Sequence, residues 1–327
     1  MTDRVGILFS TRDDPSLVSM AEARGYESAW AAEGQGKAAF GKLERWAGAT
    51  ETIGLATGIV NVYSRTPAAV AQSIATLDDH SGGRAILGLG VAHPGVVEAF
   101  HGATFDRPLA RMREYIELVR KYLAGDAAAY DGEFFTPTRP SFWPQFDPVR
   151  AEIPIYNAAL GPKNVQLTGE FADGWLPNLY PVPQFESALE RLEAGARRAD
   201  RNPEDVDVAM YVLAAVDEDR ARAMDAARAH VAYYVRDIPG YYSRAAKRVG
   251  FEDAVAAIQN AATSEAAARE VPDSLVEEVA VAGTPEEARE QLDSLRNLGV
   301  DLPIVRAPIG ADREDVERTI RTFAPRS

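Results

Sequence analysis

Short apolar runs alternate along this chain with longer segments in which apolar residues return every three to four positions. The stretch Thr52–Gly95 shows the alternation most clearly. Ile53–Ile59 is an apolar run containing glycine. Pro67 then sits where the first turn of a helix tolerates it, Ala68–Leu77 carries helical spacing, and Ser81-Gly82-Gly83 supplies a stop. Ala85–Gly90 is too short for a helix and does not alternate, which fits a strand buried on both faces. Strand, helix and strand in that order predict a parallel βαβ unit. Ligands of such units bind at the carboxyl ends of the strands, here Gly58–Asn61 and Gly90–His93.

The same rhythm predicts strands over Arg4–Ser10, Tyr26–Ala32, Ile153–Ala158, Trp175–Leu179, Val206–Val216 and Leu302–Arg306. With the two above they make eight, separated by helices, so the fold expected is α/β, a (β/α)8 TIM barrel. Arg107–Leu123 is the clearest amphipathic helix, with Leu109, Met112, Ile116, Val119 and Leu123 on one face. Thr284-Pro285-Glu286-Glu287 reads as a helix start, with Thr284 as the cap. Two segments break the rhythm. Tyr130–Pro144 is rich in aromatics and proline and reads as an excursion over the barrel, with a short hairpin in view. Residues 218–278 are helical, with a break at DIPGYYS, and too long for one crossover, so they read as a helical insertion between strands 7 and 8. The whole of 1–327 reads as a single domain, since α/β barrels run to this length.

Composition then removes several functions. The chain has no cysteine, so disulfides, thiolate nucleophiles and Cys-ligated metals are excluded. Its net charge of −14 disfavours nucleic acid and requires any phosphate site to be built locally, from backbone N–H groups or a few cations. No apolar segment is long enough to span a bilayer, and MTDRVGILFS lacks the sections of a signal peptide, so the expected location is cytoplasmic. No His pair at helical spacing, P-loop or G-x-S-x-G occurs, and no metal site is expected.

Four places carry candidate chemistry. Gly58-Ile59-Val60-Asn61 ends the third strand, and by residues alone it reads first as packing against the next helix. Gly88-Leu89-Gly90-Val91-Ala92-His93 fails the dinucleotide fingerprint, because the next glycine after Gly90 is Gly95. It does place His93, a side chain able to exchange protons near neutral pH, just past a strand end. Ala158-Ala159-Leu160-Gly161-Pro162-Lys163-Asn164 joins a strand to a helix start whose free N–H groups suit an anion, with Lys163 adding charge. Glu33-Gly34 follows the second strand. Asn178 is a weaker candidate. His80, His101 and His230 read as structural, away from strand ends. Ten aromatics, among them Tyr63, Phe134, Phe135, Tyr233, Tyr234 and Tyr242, could wall a substrate pocket.

The segments TGIVNVYSRTP, IATLDDHSGGRAILGLG and IPIYNAALGPKN, in that order and spacing, resemble the luciferase-like flavin and deazaflavin oxidoreductases. The nearest branch uses coenzyme F420 and includes methylenetetrahydromethanopterin reductase. The resemblance implies the barrel fold and hydride transfer between F420 and an organic small molecule. It implies cofactor contacts at Gly58, Ile59, Val60, Asn61, Val91, Ala92, Ala159, Leu160, Gly161, Pro162, Lys163 and Asn164. It also implies a cis peptide between Gly58 and Ile59, the cofactor phosphate at the helix start near Pro162, and a homodimer. His93 matches a position that carries a carboxylic acid in some relatives. Glu33-Gly34 stands where many have Asp-His, so His93 and Glu33 become the catalytic candidates and sugar-phosphate oxidation is doubtful. Two alternatives keep the fold: an FMN-dependent monooxygenase fed by a separate reductase, and a flavin-binding protein without turnover.

Overall fold

The computed structural model describes residues 3–10, 13–238 and 240–326. The strands are β1 (Gly6–Phe9), β2 (Ser28–Ala31), β3 (Gly54–Thr57), β4 (Val60–Asn61), β5 (Ala85–Gly90), β6 (Ile155–Ala158), β7 (Gly174–Trp175), β8 (Asp207–Val216), β9 (Ala280–Gly283) and β10 (Leu302–Arg306). All pairings are parallel. They run β10-β1-β2-β3-β5-β6-β7-β8, and β8 pairs back onto β10 to close the ring. β4 resumes the line of β3 and pairs only with β5. The expected eight-strand barrel is therefore present.

Period-two alternation divides the side chains between two compartments. Leu8, Trp30, Ala56, Tyr156, Leu176, Ala209, Tyr211, Leu302 and Ile304 fill the barrel. Trp30 stands at its centre, edge-on to Tyr156 at 5.4 Å and to Tyr211 at 5.8 Å. The opposite faces, such as Ile7, Leu55, Leu87 and Val305, pack on the surrounding helices. The helix Pro67–Ser81 forms as its sequence predicts: Thr66 caps it by accepting from the Ala69 N–H at 3.2 Å, and Gly82 ends it at φ 67. The capping box at Thr284 is also present, with the Thr284 N–H donating to Glu287 Oε2 at 2.8 Å.

Three expectations change. The sixth strand is only Gly174–Trp175. Pro177 has no N–H with which to continue a ladder, and only an isolated bridge ties Asn178 to Tyr211. The Tyr130–Pro144 excursion holds no strand. It folds back on the helix Pro108–Leu123, where Glu114 accepts the N–H groups of Glu133 at 2.7 Å and Phe134 at 2.9 Å. Third, a strand that the sequence did not predict, β9, follows the helices of the insertion. β9 pairs with Leu213–Val216, the part of β8 that rises above the barrel ring. The insertion packs around a core of its own that includes Met224, Val231, Val255, Ile258 and Leu275 and docks on Leu213. It thereby overhangs the carboxyl ends of the last strands.

Candidate active site

At the carboxyl end of the barrel lies a cavity of about 1640 Å³. Its first wall is mostly backbone and small residues: Gly58, Ile59, Gly90, Val91, Ala92 and Ala158–Gly161. Gly58 lies where a Cβ would meet Leu8 Cδ1 at 2.7 Å and the backbone of Ala31 and Ala32 at 2.8–2.9 Å. Its N–H donates to Ala31 O at 2.7 Å, and the chain then steps out of the sheet before β4. The Gly58–Ile59 peptide is trans, like every described peptide, which corrects the cis expectation. The step is built from the glycine's close approach to β2, not from peptide isomerism. The expected contacts divide here. Ile59 and Asn61 line the cavity, but Val60 is fully buried in the outer core. Asn61 is committed to its own loop: Oδ1 accepts from the Tyr63 and Ser64 N–H groups at 3.0 and 2.8 Å, and Nδ2 faces His101 Nε2 at 3.1 Å.

His93 follows β5 directly. Ala92 holds a left-handed φ of 55, a strained conformation for a residue with a Cβ, and turns the chain so that His93 lines the cavity. His93 Nδ1 is buried without a hydrogen-bond partner among the described residues. Desolvation lowers the imidazole pKa below 6.5. His93 is thus neutral near pH 7 and able to accept a proton.

Glu33 also lines the cavity, but its carboxylate is occupied. It is ion-paired with Arg65, with Arg65 Nη2 donating to Oε2 at 3.1 Å, and it accepts the Ala39 N–H at 2.7 Å. That geometry anchors the loop and starts the helix Ala39–Ala47. Lys42, which the sequence reading passed over, is buried beside this loop. It donates to Ser10 O at 3.0 Å and Ala32 O at 2.8 Å, and desolvation lowers its pKa.

The helix Pro162–Phe171 opens onto the same cavity with Gly161 as its cap. A Cβ on Gly161 would meet nothing within 4 Å, so this end is open. The Asn164 N–H already donates to Gly161 O at 2.9 Å, which leaves the N–H groups of Gly161 and Lys163 for an anion. Asn164 instead locks the loop through its side chain, accepting from Asn157 Nδ2 at 3.1 Å and donating to Ala158 O at 3.2 Å.

The second wall comes from the segment after β7, from β8 and β10 and from the insertion: Asn178, Tyr211, Tyr233, Tyr234, Tyr241, Tyr242 and Arg306. Of the ten aromatics considered from sequence, only the four insertion tyrosines line the cavity. Phe134 and Phe135 stack instead against Arg111, at 4.5 and 5.4 Å. His230, read as remote from strand ends, is fully buried beside the exit of β10. Its Nδ1 accepts the Ile309 N–H at 3.0 Å, and its ring stacks on Tyr234 at 5.0 Å. Tyr211 and Arg306 were missed outright. A signal was present, because Arg306 is the polar end of an apolar strand and falls in inward register with Leu302 and Ile304.

The family model for luciferase-like monooxygenases matches residues 6–302. The chain belongs to the luciferase-like family of oxidoreductases. It is 34% identical to the 5,10-methylenetetrahydromethanopterin reductase of Archaeoglobus fulgidus, over 91% of this chain and 90% of that one. The structure of the coenzyme F420-dependent tetrahydromethanopterin reductase from Methanopyrus kandleri superposes with a TM-score of 0.84 at 28% identity, covering 98% of each chain. A monooxygenase from Streptomyces bottropensis shares the fold, with a TM-score of 0.72 at 22% identity over 98% of this chain and 97% of that one. No helix among the described residues is long and apolar enough to cross a membrane.

Proposed function

We propose that this protein transfers a hydride between coenzyme F420 and an organic small molecule. The observation that carries the reading is the backbone-lined wall of the cavity, found in a chain 34% identical to a methylenetetrahydromethanopterin reductase. The residues present fit the cofactor. The step at Gly58–Ile59 and the small residues Val91 and Ala92 leave a shelf for a flat tricyclic ring, and the open helix end at Gly161–Lys163 suits a phosphate.

Bound there, the deazaflavin would supply the hydride chemistry. The protein's part is orientation and proton management. Ile59 and Gly58 would support the ring, the Gly161 and Lys163 N–H groups would hold the phosphate, and neutral His93 would exchange a proton with the substrate atom beside the reacting carbon. Glu33, ion-paired and hydrogen-bonded, serves in this reading by fixing the loop after β2. A pairing of two copies as a homodimer completes the proposal; a light-scattering mass near the monomer's 35.4 kDa would refute it.

The description of the matching family model, luciferase-like monooxygenase, favours a second reading with FMN and oxygen and a separate reductase. The third reading, a flavin-binding protein without turnover, would need a blocked mouth, and turnover with any substrate would exclude it. Titration of F420 and of FMN into the protein, followed by absorbance and fluorescence, separates the readings. Saturable binding of F420 with weak or absent FMN binding is expected; the reverse preference overturns the F420 proposal.

A further inference from the structure

The cavity carries an unspent positive charge. Three carboxylates line it, and each already has a cation: Asp13 with Lys37, Glu33 with Arg65, and Asp237 with Arg236. Arg306 lines it too, only 7% exposed, and forms no ion pair with any described residue. Its one hydrogen bond to a described residue runs from Nη1 to the Tyr234 hydroxyl at 2.9 Å. Nε is buried without a partner, and Nη2 donates to no described residue. The vacant Nε–Nη2 edge is the side of the guanidinium that matches two coplanar oxygens. A buried guanidinium without a counter-charge is costly, so proteins normally pair it. Beside it, the Tyr211 hydroxyl is buried and unpartnered. Asn178 donates its amide to the Tyr242 hydroxyl at 2.9 Å, and its Oδ1 is left without a donor.

We propose that Arg306 and Tyr211 form a subsite for a carboxylate of the substrate, an inference that rests on the hydride-transfer reading for what else occupies the cavity. The vacant edge and the Tyr211 hydroxyl supply three donors. The free Asn178 oxygen is an acceptor and opposes a phosphate dianion. The rings of Tyr234 and Tyr242 leave little to hydrate a third charged oxygen. The subsite lies on the insertion's side of the mouth, so it recognises substrate while the backbone wall holds the cofactor.

Calorimetric titration with benzoate, benzamide and phenyl phosphate tests this on the protein without cofactor and again in the presence of F420. Wild type is expected to bind benzoate tighter than benzamide by on the order of tenfold or more, as for a hydrogen-bonded charge. Arg306→Met should erase that preference, and Tyr211→Phe should reduce it several-fold. Should Arg306→Met show no cooperative melt, Arg306→Lys, which keeps the charge and loses the fork, is expected to fall between. Equal binding of benzoate and benzamide by wild type, or benzoate preference surviving in Arg306→Met, overturns the proposal and leaves Arg306 a strut under the insertion. Preference for phenyl phosphate over benzoate overturns the carboxylate assignment. Loss of F420 affinity in Arg306→Met also overturns it, by assigning the charge to cofactor. Failure of wild type to bind F420 refutes the cofactor reading instead, and the benzoate result without cofactor is unaffected by it.

Discussion

The two walls of the cavity are made of different material. The wall from β3 to β6 presents glycines, alanines and backbone N–H groups, and its polar side chains, Asn61, Asn157 and Asn164, are turned inward to hold loops. The wall from the segment after β7, from β8 and β10 and from the insertion presents side chains: five tyrosines, Asn178 and Arg306, several with polar atoms unpartnered. Backbone shapes a surface that changes little when residues change, which suits a ligand common to many enzymes. Side chains can be exchanged one at a time, which suits a ligand particular to one. On the proposed reading, the same barrel mouth would separate cofactor recognition from substrate recognition along the chain as well as in space.

Perturbing each wall should give distinct signatures. The largest effect is expected at the residue between them. His93→Gln should lower turnover by about 10²–10⁴-fold, the usual worth of general acid–base catalysis, with cofactor affinity nearly intact. Because burial lowers the His93 pKa below 6.5, the acid limb of the wild-type profile should lie below that value and vanish in the variant. Full turnover with an unchanged profile on the true substrate would make His93 a mere wall of the pocket.

On the backbone wall, Gly58→Val drives a branched side chain against Leu8, Ala31 and Ala32, at distances that begin at 2.7 Å for the Cβ alone. Overpacking of this kind costs about 1–3 kcal/mol. Cofactor affinity, read by fluorescence titration, should fall by tens of fold while the melting temperature drops less than for a core collapse. Gly88→Ala, in β5 behind that wall, is the control. Its Cβ would collide with the Thr57 carbonyl oxygen, so stability should suffer first.

The side-chain wall should respond to pH. His230 is buried and its pKa is well below 6.5, through desolvation first and the Arg306 charge second. The unfolded chain binds a proton at that site when the folded one does not. Stability is therefore full above about pH 6.5 and falls as pH drops below it, by at most about 1.4 kcal/mol per pH unit from this group. Urea midpoints measured from pH 7.5 to 5 should show the decline, and His230→Gln should flatten it. An unchanged slope would place the burden on other groups.

The smallest effect belongs to Lys163→Glu. Lys163 is exposed at the helix start, so charge reversal there should weaken cofactor binding by several-fold at low salt and less at 0.5 M salt. Equal affinity at low salt would move the phosphate away from the Pro162 helix.

The sequence alone determined the barrel, the positions of seven of its eight strands and most of the backbone wall, because each rests on local chemistry. Pro67 with Gly82, Thr284 with Glu287, and unalternated runs such as Ala85–Gly90 act within a few residues of themselves. The loops after β3, β5 and β6 were legible for the same reason: a strand end followed by small residues or a helix start has a local signature. Tertiary structure decided the rest. The close approach of Gly58 to β2 is a matter of which strand is neighbour. The excursion's aromatics were captured by Arg111 and Glu114 rather than by the cavity. Glu33 became an anchor because Arg65 reached it across 32 residues. The side-chain wall joins Asn178 to Tyr242 across 64 residues and Arg306 to Tyr234 across 72. Such pairings leave no periodic trace, because they join side chains far apart in the sequence that only the closed barrel and the insertion bring together.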